Sequence, residues 1–136
     1  VTIQGGKGVR ILFGGKVFER LWEYIESVFS GHELLAENEE AFPEVLPWAE
    51  VLVARPMKID GSLLDMAPNL RLIHQWGTGV EGIDLQACAA RDIPVCNVPS
   101  RGIASYVAAN VQRLTVGEPL LSRLVMPNTE QGGVVS

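Results

Sequence analysis

The chain is built of short apolar runs separated by stretches in which apolar residues recur at helical spacing. The first run, Val9-Arg10-Ile11-Leu12-Phe13, ends at Gly14-Gly15. Val17, Leu21, Ile25 and Val28 follow, with Glu19, Arg20, Glu23 and Glu26 between them. This pattern predicts a strand, a glycine turn and an amphipathic helix with the apolar stripe inward. "HELLAEN" (32–38) predicts a second strand, and Glu39 to Trp48 a short or irregular helix interrupted by Pro43 and Pro47. "EVLVARP" (50–56) predicts a third strand. Asp60 then caps a helix with Leu63, Leu64 and Ala67 inward, stopped by Pro68. "LRLIHQW" (70–76) and "IPVCNVP" (93–99) predict strands four and five, flanking a helix "LQACAARD" (85–92) capped by Asp84. A last helix is expected from Ile103 to Val116, with Ile103, Val107, Val111 and Leu114 on one face and Gly117 at its end.

Strands that are apolar throughout, with helices between them, indicate a parallel sheet covered on both faces. Five such units predict an α/β fold: a flavodoxin-like doubly wound five-stranded parallel sheet, strand order 2-1-3-4-5, helices on both faces. One domain is expected at residues 9–117. Residues 1–8, with three glycines and no periodicity, predict a flexible lead-in, and 118–136 a C-terminal tail with a loose end.

Composition narrows the function classes. At 136 residues, 47% hydrophobic and 20% charged, the chain has the make-up of one ordinary globular domain. A net charge of −5 without a basic stripe speaks against nucleic acid as a partner. No apolar run approaches the roughly 20 residues that cross a bilayer, and no signal peptide is evident, so no membrane partner is expected and the location expected is cytoplasmic. Cys88 and Cys96 are too few for a disulfide framework or a metal site and read as buried, reduced thiols. His32 and His74 read as satisfied structural histidines, leaving no metal site and no catalytic residue to assign.

Gly77, Gly79 and Gly82 in "QWGTGVEGID" (75–84) form a literal G-x-G-x-x-G after the fourth apolar run. A dinucleotide fingerprint places its third glycine inside the helix and a carboxylate at the end of the next strand, about 20 residues on. Here Gly82 precedes the cap Asp84, and the next strand ends in Cys96-Asn97-Val98-Pro99. Cofactor-binding residues are therefore not expected. A tight glycine turn without a ligand remains a second reading. "FGGKVF" (13–18) lacks the hydroxyl residues of a flavin phosphate loop or a P-loop, and the strand ends lack the carboxylates of a phosphoacceptor.

A third reading rests on resemblance. "APNLRLIHQWGTGVEGIDLQACAARDIPVCNVPS" (67–100), preceded by "AEVLVARPMKIDGSLLDM" (49–66), closely resembles the substrate domain of the D-isomer-specific 2-hydroxyacid dehydrogenases over about residues 9–100. The resemblance implies that the turn after strand four holds a substrate carboxylate on the Thr78 and Gly79 amides, with Gly77 in the turn and Trp76 as a neighbouring wall. It also implies that the loop after strand three borders the substrate, through Arg55 and Met57. The partner implied is a small 2-oxo or 2-hydroxy acid, bound weakly.

The family's acid/base histidine, its carboxylate and its carbonyl-polarising arginine lie in a second domain that binds NAD or NADP, and nothing here resembles that domain. "IASYVAANVQRLTVGEPLLSRLV" (103–125) instead resembles the family's C-terminal helix, which completes the substrate domain. A joint is thus expected near Arg101-Gly102-Ile103, with residues 9–101 and 102–117 as two parts of one domain. An engineered deletion is favoured over a natural one, since both ends of the cut leave a complete fold. The function expected is that of a substrate-binding domain of an NAD(P)-dependent oxidoreductase acting on CH–OH groups, inactive alone and without a cofactor of its own. The alternative is a bare folding module. Loss of the facing domain predicts exposed Trp76 and Met57, and a monomer or weak self-association.

Overall fold

The computed structural model describes residues 8–99 and 102–124. Most of the expected lead-in, Ser100 and Arg101 at the expected joint, and the expected loose end at 125–136 lie outside the described residues. Strand β1 (Arg10–Gly14) leads through a 3-10 helix (Lys16–Leu21) into α1 (Trp22–Val28), followed by β2 (Glu33–Glu37). A 3-10 turn (Glu39–Ala41) opens α2 (Phe42–Val45), and β3 (Val51–Ala54), α3 (Gly61–Asp65), β4 (Leu72–Gln75), α4 (Leu85–Ala90), β5 (Val95–Cys96) and α5 (Ile103–Val116) complete the order. The five strands form one parallel sheet in the order β2-β1-β3-β4-β5, as the sequence predicts.

Successive strand residues point to opposite faces, and both faces are buried here. Leu12, Leu52, Ala54, Ile73 and Val95 pack with Phe42, Leu46, Leu63, Leu64 and Cys88 of the α2–α4 layer. Ile11, Phe13, Val51, Val53, Leu72 and Cys96 pack with Phe18, Ile25, Phe29, Val107 and Val111 of the α1 and α5 layer. That two-sided burial is why the strands read as unbroken apolar runs.

The helix after β1 has a different inward face from the one its spacing predicts. Phe18, Ile25 and Phe29 are buried and Trp22 half-buried, while Val17 and Leu21 lie outward. The first six residues wind as a 3-10 helix, nearer three residues per turn than 3.6, which shifts the phase. The aromatic set also removes more apolar surface from water. Phe13 gathers Phe18, Trp22 and Phe29 in edge-on contacts at 5.4, 5.9 and 5.2 Å between ring centres. Pro43 does not interrupt a helix but sits in the first turn of α2, where a missing N–H leaves nothing unpaired. Asp60 and Asp84 cap α3 and α4, accepting from the Leu63 and Ala87 amides at 3.1 and 3.0 Å.

Helix α5 closes one face of the sheet, and Gly117 ends it with φ +77°. Its buried residues are Ala104, Val107, Asn110 and Val111. Asn110 pairs with the Leu121 backbone on both sides: Oδ1 accepts its N–H at 2.7 Å and Nδ2 donates to its carbonyl at 2.8 Å. The same Nδ2 lies 3.0 Å from Nε2 of His74 in β4, whose Nδ1 faces the Gln75 carbonyl at 3.0 Å. A neutral imidazole with its proton on Nδ1 satisfies every partner. The clip holds residues 118–124 to the sheet, where Leu124 N–H donates to Val95 O at 2.8 Å and Arg123 bridges Cys96 in antiparallel sense.

Burial pulls His74 down from the ordinary 6.5 to about 4. Between those values the unfolded chain takes up a proton that the folded domain refuses, so stability falls as pH falls through the window. The loss by pH 4 is about 3 kcal/mol from His74, and His32, also lowered by burial, acts in the same direction. Asp60, held below its ordinary 3.8 by the Leu63 amide, titrates beneath this window. Urea melts at pH 7 and pH 4 are expected to show the loss, and His74→Gln to remove most of the difference. An unchanged slope in that variant would assign the pH dependence elsewhere.

Candidate functional site

In a doubly wound sheet, ligand loops stand at the carboxyl ends of the strands. At the end of β4 the Trp76 N–H continues the ladder to Ala54 O at 2.7 Å, and the chain then turns at Gly77, whose φ of +136° favours glycine. The carbonyls of this turn are pinned. Gly77 O accepts from the Val98 N–H at 2.8 Å, and Thr78 O accepts from Asn97 Nδ2 at 3.1 Å. The amides of Gly77, Thr78 and Gly79 meet no acceptor among the described residues. With the Gly77 and Thr78 carbonyls engaged and three successive amides unpaired among the described residues, the turn offers donors to an anion.

Two of the three glycines have a structural reason, and the two reasons differ. Gly77 takes a backbone conformation that side chains disfavour. Gly82 is locked by packing: a Cβ there would sit 2.1 Å from the Met57 carbonyl oxygen. That close approach joins the loops after β3 and β4, with Ile59 N–H donating to Gly82 O at 2.9 Å and Asp84 N–H to Ile59 O at 2.8 Å. Gly79 has neither reason, since a Cβ would meet only the mobile end of Glu81, at 2.7 Å. A dinucleotide does not fit here. Gly82 lies outside α4, the six-residue α4 is capped by the Asp84 carboxylate, and a pyrophosphate would meet that negative charge where it needs free amides.

Arg55 and Met57, from the loop after β3, line a cavity of about 450 Å³ with Gly14, Gly15, Lys16 and Asn38, over the ends of β1, β2 and β3. The crevice thus lies at the point where the strand order reverses, between β1 and β3. The expected site residues therefore fall into two groups, Arg55 and Met57 in this cavity and Gly77, Thr78 and Gly79 at the end of β4. The Met57–Gly82 contact ties the two loops together. Trp76 stands apart from both, because its ring packs on Phe18 and Phe13 with centres 5.2 and 6.4 Å away. Trp76 and Met57, expected to be exposed, are half-buried, Trp76 against this aromatic cluster and Met57 against the core on the other face of the sheet. Lys16, Asn97 and Gln75 were not singled out by the sequence; only their places at strand ends mark them.

The remaining reactive groups serve the core. Burial pushes the Cys88 and Cys96 thiols up to about 11, far from a nucleophile's range. His32 sits at the opposite end of the sheet and accepts the Val9 N–H on Nδ1 at 3.1 Å. Among the described residues no group of three or more His, Cys, Asp or Glu side chains is placed to hold a metal ion, and no helix is long and apolar enough to cross a membrane.

Comparison with known proteins identifies the family. Residues 15–108 match the family model of the D-isomer specific 2-hydroxyacid dehydrogenase catalytic domain. D-3-phosphoglycerate dehydrogenase of Archaeoglobus fulgidus is 36% identical over 62 residues, 46% of this chain and 12% of that protein. Its Mycobacterium leprae counterpart is 33% identical over 61 residues, 44% of this chain and again 12% of the relative, so the match spans about an eighth of the relatives' length. Among solved structures, D-lactate dehydrogenase from Aquifex aeolicus, complexed with NAD and lactic acid, superposes with a TM-score of 0.62 at 22% identity, over 76% of this chain and 32% of that one. NAD-dependent formate dehydrogenase from Staphylococcus aureus, in complex with NAD, gives 0.57 at 21% identity, over 90% and 38%. At these identities the structures speak for the fold, while the family match extends over well over half of the 136 residues. The chain belongs to the D-isomer specific 2-hydroxyacid dehydrogenase family, as a catalytic-domain segment of it.

Proposed function

We propose that this domain holds the carboxylate of a small 2-oxo or 2-hydroxy acid on the Gly77, Thr78 and Gly79 amides, with the body of the acid directed toward Arg55 and Met57. The observation that carries this is the asymmetry of the turn: the Gly77 and Thr78 carbonyls are engaged, while all three amides meet no acceptor among the described residues. Gly79 supports the same reading, because neither backbone conformation nor packing demands a glycine there. In dehydrogenases of this family the nicotinamide exchanges hydride with the bound acid. This chain's described residues supply the anion-holding part of that arrangement, and Arg55 adds charge at its border. An anion held by a few amides at an open surface is bound weakly, with a dissociation constant around millimolar, or about 4 kcal/mol.

Pyruvate titrated into ¹⁵N-labelled protein is expected to shift the amides of residues 77–80 saturably, and Arg55→Ala to weaken the effect by a few-fold. Absence of any shift at tens of millimolar would leave the domain a scaffold without this ligand.

The glycines separate fold from function. Gly82→Ala drives a methyl into the Met57 carbonyl and is expected to lower stability by about 1–3 kcal/mol. Gly77→Ala strains the turn by a similar amount. Gly79→Ala displaces only the Glu81 side chain, so it should melt close to the unaltered protein yet bind pyruvate more weakly. Equal binding by a well-folded Gly79→Ala protein would remove that position from the site.

A further inference from the structure

We infer that Gln75 is a further ligand-binding residue: its side-chain amide donates to the carboxylate held by the turn that follows it. This rests on the carboxylate site proposed above. Gln75 is the last residue of β4 and pairs in register with Ala54. Leu72 belongs to the α1 and α5 layer and Ile73 to the α2–α4 layer, so strand alternation turns Gln75 to the α2–α4 side, with Ala54 and Ile73. On that side the loops after β3 and β4 cross through the Ile59–Ile83 bridge and the Gly82–Met57 contact. Gln75 thus stands at the root of the free-amide turn, beneath the two loops expected to border the acid.

Its side chain is 1% exposed, and Nε2 has no hydrogen-bond partner among the described residues. The other buried polar residues are satisfied: His32 by Val9, His74 by Gln75 O and Asn110, and Asn110 by Leu121. A buried unpaired amide is unfavourable, and an apolar side chain of the same shape avoids the penalty. Nothing inside the fold therefore calls for an amide here. What the position does share with its surroundings is polarity. The Gln75 NH2 and the amides of residues 77–79 are donors without an acceptor among the described residues, and the Gly77 and Thr78 carbonyls are engaged. Such a set takes a group that only accepts, which is what an ionised carboxylate is. Three rotatable bonds let the Gln75 amide swing from its unpaired position toward an anion seated on the turn. Binding then relieves a penalty that the empty domain carries.

This makes an unusual pair of effects. Gln75→Met keeps the shape and removes the unpaired donor, so it is expected to raise the melting temperature without ligand and weaken pyruvate binding by about tenfold. In the unaltered protein the Gln75 side-chain ¹⁵NH2 signals should move with pyruvate in step with the 77–79 amides. A Gln75→Met protein that melts lower assigns the amide a structural role and overturns the inference. So does pyruvate binding of unchanged strength in that variant, or static Gln75 side-chain signals while the turn amides shift; in both cases the carboxylate site itself stands. If the turn amides of the unaltered protein do not respond to pyruvate, the site and the inference fail together.

Discussion

A parallel sheet that is apolar on both faces must be covered twice, and the rest of this molecule follows from how a short chain meets that demand. Helices α2, α3 and α4 cover one face in chain order. The other is covered by α1 with the 3-10 helix that leads into it and by α5, and α5 arrives after the last strand. Its 14 residues must therefore be anchored as well as packed. Asn110 does this by acting as a piece of backbone, pairing both the N–H and the C=O of Leu121 while its remaining proton meets His74. A network of this kind is stable only when every member is satisfied. Here the imidazole must stay neutral, and the anchoring of α5 and the proton affinity of His74 become one property.

The same two-sided burial explains what could be read from the sequence. Val51-Leu52-Val53-Ala54 has no polar position because it has no solvated face, and that uniformity marks a parallel sheet covered on both sides before any contact is known. The Asp60 and Asp84 caps and the Gly117 stop are local, made by residues within one turn of the helix they bound, so they are legible too. The inward face of the first helix is not. Its two apolar stripes, Val17-Leu21 and Phe18-Trp22-Ile25-Phe29, are distinguished only by the 3-10 winding and by the Phe13 ring they meet across the sheet. Asn110 and Leu121 are equally silent in sequence, since a buried asparagine on an otherwise apolar helix is explained only by the chain that returns to it.

The site shows the same division. Gly77, Gly79 and Gly82 have the spacing of a dinucleotide fingerprint, yet Gly77 answers to backbone conformation and Gly82 to packing, neither of which calls for a pyrophosphate. Spacing reports that a backbone is free to bend or to be approached; it does not say by what. In this fold Gly82 is approached by the Met57 carbonyl from a neighbouring loop, so one of the three matches is consumed by packing. The Gly77 conformation then turns the chain so that carbonyls face Asn97 and Val98, and that choice of partner frees the amides.

Polar satisfaction within a domain and readiness for a ligand pull in opposite directions, and the end of β4 is where they part. One residue inward, His74 has both ring nitrogens engaged; one residue outward, Trp76 gives its amide to the ladder and its ring to the aromatic cluster. Between them Gln75 is as buried as either neighbour is constrained, but its donor is unpaired. A fold selected for stability alone has no use for that amide, because burial without a partner lowers stability and an aliphatic side chain would fill the same space. Among the described residues, unpaired donors stand on either side of the Trp76 amide, at the Gln75 side chain and at the backbone of residues 77–79, and on the reading proposed above scaffold passes into site at the end of β4.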